Sequence, residues 1–218
     1  MERYFILDKY NTWYDWGLIV TDKDVSSPDP KTNYVNIDGA SGSLDLSEAL
    51  TGEVTYNDRK LSASFWTDQG TRTDRERLLR DIKIALHGRK VKIIEPDDPE
   101  HYLIGRISIS SEVNNLSYAS FTITATCEPW RYAIEESQRT IALSLTAKNI
   151  VIYNHGVKTL TPEIELTSGA YLEYDGKVVP LNDGTYRLTD FKLYRGANVV
   201  KVSGSTGTIT FKYREADL

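Results

Sequence analysis

The 218-residue sequence holds a single cysteine, Cys127, and a single methionine. One thiol excludes an internal disulfide and a cysteine-based zinc site within one chain. No apolar run approaches the roughly 18 residues a membrane-spanning helix needs. Polar and charged residues interrupt Met1–Asp8, where a secretory leader requires an apolar stretch, so synthesis in a cytoplasm is expected. Positive charge is also in short supply: 26 Lys and Arg stand against 31 Asp and Glu, a net charge of −5. No stretch concentrates Lys and Arg on one face. Binding to a phosphate backbone draws on clustered positive charge, so specific nucleic-acid binding is disfavoured.

Catalytic and nucleotide signatures are missing as well. Neither a P-loop nor a G-x-G-x-x-G occurs, and Gly39-Ala40-Ser41-Gly42 falls one residue short of a nucleophile elbow and reads as a turn. His87, His101 and His155 lie far apart and show no local ligand spacing. The acidic run Glu95-Pro96-Asp97-Asp98-Pro99-Glu100 lacks the ligand-glycine-ligand order of a calcium loop, and its prolines mark a stiff hairpin tip. The residues therefore name no catalytic group, no cofactor site and no metal site, and the chain is expected not to be an enzyme.

What the sequence has is alternation. Phe121, Ile123, Ala125 and Cys127 alternate with Ser120, Thr122, Thr124 and Thr126; Leu61, Ala63 and Phe65 alternate with Lys60, Ser62 and Ser64. Leu103, Gly105, Ile107 and Ile109 repeat the pattern, as do Ile209, Phe211 and Tyr213. Period two puts one face of each strand on a core, the mark of half-buried antiparallel sheets. Asp175-Gly176 between two β runs predicts a type I′ hairpin. Further turns are expected at Asn182-Asp183-Gly184 and Asn57-Asp58. One segment reads as helix, over 73–87: a Thr73/Glu76 capping box, an apolar stripe of Leu78, Leu79, Ile82, Ala85 and Leu86, and Gly88 as the stop.

A boundary is expected near Pro129–Ser137, where Glu128-Pro129-Trp130-Arg131-Tyr132 ends a strand abruptly. It divides an N-terminal domain, 1–132, from a C-terminal domain, 138–218, of shorter strands and frequent turns. Trp130 is expected to be buried at this junction. Asp22–Thr32, with Ser26-Ser27-Pro28-Asp29-Pro30, reads as an extended loop stiffened by two prolines. Stiffness lowers the entropy lost on docking, so Ser26, Ser27, Pro28, Asp29, Pro30 and Tyr34 are the candidate contacts to a neighbouring subunit. Trp13, Tyr14, Trp16, Tyr171 and Tyr174 could stack on sugar rings, or could be core and contact residues.

Several stretches, in order, resemble the distal tail protein (Dit) family of long-tailed phages and prophages of Gram-positive bacteria. They are Ser26-Ser27-Pro28 followed by Tyr34–Gly39 and Gly42–Leu50, then Asn57–Leu61, Cys127–Tyr132, Leu193–Asn198 and Tyr213–Leu218. Ala216 stands where the family usually has a glycine. The resemblance implies a mainly β chain: an N-terminal β-sandwich with one α-helix and a C-terminal galectin-like β-sandwich (jelly roll). It further implies a hexameric ring at the virion tail tip, joining the tail tube protein to the tail-associated hub or lysin (Tal) protein. A negative ring suits passage of DNA without adhesion. The alternative is a carbohydrate-binding module that recognises host cell-wall polysaccharide.

Overall fold

In a computed structural model, which describes residues 3–218, the chain forms two compact units, one running to Pro129 and the other spanning Trp130–Asp217. The chain is mainly β. The first unit contains β1 (Ile6–Leu7), β2 (Tyr10–Asn11), β3 (Ile19–Val25), β4 (Tyr34–Asn36), β5 (Ser43–Asp45), β6 (Arg59–Thr67), α1 (Arg72–Leu86), β7 (Lys90–Glu95), β8 (Asp98–Asn114) and β9 (Ala119–Cys127). Antiparallel pairing gives the order β2-β1-β7-β8-β9-β6-β3. The alternating residues of β6, β8 and β9 point into one core, with Phe65, Ile107, Phe121 and Ile123 at 2% exposure or less.

This sheet does not lie flat. Phe5 precedes β1, and β1 stands four strand spacings from β6, or about 19 Å in a flat sheet. Yet the Phe5 and Phe65 rings are 5.7 Å apart, edge to face. The sheet therefore folds over, and its two ends meet across a shared core as the layers of a sandwich do. Helix α1 adds Leu79, Ile82 and Leu86 to the same core.

The helix starts two residues earlier than the expected capping box. Thr71, not Thr73, is the N-cap: its hydroxyl accepts from Asp74 N (3.2 Å), and the Asp74 carboxylate accepts from Thr71 N (3.0 Å). Aspartate at the third position satisfies the orphan donors as glutamate would, and Gly70 at φ +69° supplies the turn into it. Glu76 instead accepts from Asn114 Nδ2 at 2.9 Å. The helix ends at Leu86, with His87 as C-cap and Gly88 beyond it at φ +77°.

The second unit contains β10 (Arg131–Ala133), β11 (Ser137–Ala142), β12 (Lys148–Asn154), β13 (Glu163–Leu166), β14 (Ala170–Tyr174), β15 (Lys177–Leu181), β16 (Gly184–Tyr186), β17 (Gly196–Gly204), β18 (Thr208–Tyr213) and β19 (Ala216–Asp217). Two four-stranded sheets, β11-β18-β13-β16 and β12-β17-β14-β15, enclose a separate core that includes Ile152, Val200, Ile164, Ile209 and Phe211. Asp175 and Gly176 both take positive φ, 50° and 72°, as the two central residues of a type I′ turn must. Strand β19 pairs with β10. A Cβ on Gly156 would come within 2.6 Å of the Ala216 backbone, which fixes a glycine under that strand. Trp130 is only partly buried, with the Lys158 ammonium 5.6 Å from its ring centroid.

Candidate assembly interface

The stretch expected as a loop at Asp22–Thr32 is ordered by pairing. Strand β3 runs through Asp22 to Val25, and Ser26 N then donates to Lys60 O at 2.9 Å while Lys60 N donates to the Ser26 hydroxyl. Asn57 N donates to Asp29 O, Lys31 N donates to Thr55 O, and Pro30 bridges Tyr56. The two legs thus leave the sheet side by side as an extension of the β3–β6 pair. Asn57-Asp58, expected as a turn, belongs to the returning leg. Proline suits this place because an edge ladder leaves alternate N–H groups without strand partners.

Beyond the legs, β4 and β5 pair as a ribbon, with Tyr34 opposite Asp45, Val35 opposite Leu44 and Asn36 opposite Ser43. Asn33 and Ser47 close its base, Asn33 N donating to the Ser47 hydroxyl at 2.8 Å. The Ser47 hydroxyl and N–H also bond the Asp45 carboxyl, which holds it below the usual carboxylate range. Gly39 and Gly42 take φ of +83° and +81° at the tip, with open space around both.

This arm has two faces of different character. Period two puts Tyr34, Asn36, Ser43 and Asp45 on one face and Val35 and Leu44 on the other; Ile37 and Leu46 continue the second set. Val35, Ile37, Leu44 and Leu46 are 41, 50, 49 and 36% exposed, and Leu50 at the arm's base is fully exposed. An isolated two-stranded ribbon is marginal in water. A continuous apolar face on one marks a surface that gains stability when covered. Covering four half-exposed aliphatic side chains is worth about 1 kcal/mol each, roughly 4 kcal/mol together.

Of the candidate contacts, Ser26, Pro28, Asp29 and Pro30 sit in the arm's legs, where Pro28 is buried and the others bond or bridge within the chain. Ser27, Asp29, Pro30 and Tyr34 are exposed, Tyr34 on the ribbon itself. Val35, Ile37, Leu44 and Leu46 were not among the sequence candidates. Their signal was available as two short alternating runs, 34–37 and 43–46, separated by the five residues Asp38-Gly39-Ala40-Ser41-Gly42.

The acidic hairpin tip is occupied by cations of the same chain. Glu95, 3% exposed, is ion-paired with Lys23 across the fold, and Asp97 accepts from Arg3 (2.5 and 2.7 Å) and Lys23 (2.9 Å). Those bonds hold the Asp97 carboxyl at about 2. The histidines are dispersed: His87 Nδ1 accepts from Ile109 N, His101 pairs with Asp98, and His155 pairs with Glu215. Among the described residues no group of three or more His, Cys, Asp or Glu could hold a metal ion, and no helix is long and apolar enough to cross a membrane.

No protein-family model and no curated protein matches the chain. Among solved structures, the Dit protein (gp 19.1) of SPP1 matches with a TM-score of 0.69 and 16% sequence identity, covering 98% of this chain and 99% of that one. That protein is described as a paradigm of the hub adsorption apparatus in phages infecting Gram-positive bacteria. The fold of the present chain is therefore Dit-like over nearly its whole length.

Proposed function

We propose that the chain is a structural, non-enzymatic component of a phage tail tip, made in the bacterial host cytoplasm and carried in the virion. It forms a hexameric ring between the tail tube protein and the tail-associated hub or lysin (Tal) protein. The observation that carries this reading is the arm with an uncovered apolar face, set in a Dit-like fold. A surface that one subunit extends and a different surface of the next receives is a heterologous contact, and such contacts close into rings when the rotation permits. The N-terminal domain carries the ring contact because the arm grows from its sheet. The C-terminal sandwich, galectin-like in this reading, is dispensable for ring closure.

Native mass spectrometry and negative-stain imaging of the purified full chain test the proposal, alone and mixed with the tail tube and hub proteins of the same genome. A six-fold ring and a ternary assembly are expected. A chain that stays monomeric up to about 100 μM, even with both partners present, would overturn it, because an interface of ordinary size associates well below that concentration.

A further inference from the structure

A second built feature of the first unit, sharing no residue with the arm, is an open cleft of about 570 Å³ between the 13–17 loop and the start of α1. The loop is closed on itself. Asn11 Oδ1 accepts from Trp13 N and Tyr14 N at 3.0 Å each, Asp15 N donates to Asn11 O, and Gly17 N donates to Trp13 O at 2.8 Å. Three aromatic residues are thereby held in place rather than left to fluctuate. Trp16 stacks on Tyr10 at 4.9 Å, and Tyr14 meets Tyr4 edge to face at 5.7 Å while remaining 72% exposed. Trp13, Tyr14 and Trp16 all line the cleft.

Polar groups line it too. Gly17, at φ +61°, leaves room for Gln69, since a Cβ there would lie 2.4 Å from Gln69 Oε1. The Gln69 side-chain amide has no hydrogen bond among the described residues. Arg75 is 2% exposed and donates to the carbonyls of Gly70, Asn115 and Leu116, but its buried Nε has no partner among the described residues. Asp15 and Asp74 complete the rim; Asp15 has one carboxylate oxygen engaged by Asn11 N, and Asp74 bonds Thr71 through one oxygen and pairs with Arg77 at 3.9 Å through the other.

We infer that this cleft binds a neutral or amino sugar unit of a polysaccharide. Aromatic faces offer flat apolar area to the C–H face of a pyranose, while carboxylate and amide groups match ring hydroxyls as acceptors and donors. The two rim carboxylates repel phosphate and uronate groups, which sets the class apart from anionic polymers. An open cleft also lets a chain pass through, where an enclosed cavity would take a free monosaccharide. The site is independent of the arm, and the two readings stand or fall separately.

The test is a glycan array of neutral, amino-sugar and anionic oligosaccharides probed with the full chain, followed by isothermal titration of the hits. Binding of neutral or amino-sugar oligomers with Kd on the order of 0.1–1 mM is expected. Tyr14→Ala and Gln69→Ala should each weaken it at least about tenfold without lowering Tm or changing the native mass. The inference is overturned by no binding to any neutral or amino-sugar glycan, by a preference for anionic ones, or by binding that survives both substitutions. Cross-linking of the cleft to a partner protein in the assembled tail, with no sugar binding by the free chain, would assign it to protein docking instead.

Discussion

Leu44→Asp separates the arm's role in assembly from any role in folding. Leu44 is 49% exposed, lies outside both buried cores, and faces Val35 across the ribbon. Folding of the monomer should therefore change by less than about 0.5 kcal/mol, the usual range for surface sites. At a subunit contact the same change removes about 1 kcal/mol of apolar burial and sets a carboxylate where it must be desolvated, at a further cost of at least about 2 kcal/mol. A loss of about 3 kcal/mol weakens each contact roughly 150-fold. Light scattering across a concentration series should then show rings for the parent chain and monomers for the variant, with superimposable far-UV spectra and melting curves. Rings of undiminished stability would refute the reasoning. So would a large fall in Tm, which would mean that Leu44 packs within its own subunit.

Three further outcomes follow from the ion pairs and the backbone. Lys23→Met removes the ammonium that bonds Glu95, whose side chain is 4% exposed, and the cost should be about 1.5–3 kcal/mol, as for a hydrogen bond to a charged group. The double variant Lys23→Met/Glu95→Leu should recover most of that loss in chemical denaturation; a single variant as stable as the parent would show that the pair contributes little. The Asp97 carboxyl is depressed from 3.8 to about 2 by Arg3 and Lys23, so its contribution is present above about pH 4 and is lost as pH falls towards 2. Asp97→Asn should flatten the fall in Tm over that window, and an unchanged slope would contradict the assignment. Gly156→Ala should destabilise the second unit by about 1–3 kcal/mol, because the added methyl meets the Ala216 backbone, which cannot rotate aside. Thermal melting reads this directly, and an unshifted transition would mean that β19 moves away freely.

Strand alternation, the Asp175-Gly176 turn and the helical stripe are properties of a few neighbouring residues, and each was legible in the sequence because the physics behind it is local. Side chains of period two can bury only one face, and two positive φ values need Asp-Gly or its like. The cap was legible in kind but misplaced, since Thr71-x-x-Asp74 and Thr73-x-x-Glu76 satisfy the same rule and only the helix's docking selects between them. The proline-rich segment stood out through backbone stiffness, yet its pairing with residues 55–60 depends on a return leg some 30 residues away. Nothing local announces that partner. The apolar face of the arm was likewise hidden, because runs as short as 34–37 and 43–46 do not tell a covered face from an uncovered one until the rest of the fold is in place. The turning of the sheet that brings Phe5 onto Phe65, and Lys23 onto Glu95, was decided by tertiary structure alone. It depends on strand order and accumulated twist, which many sequences with the same alternation would resolve differently.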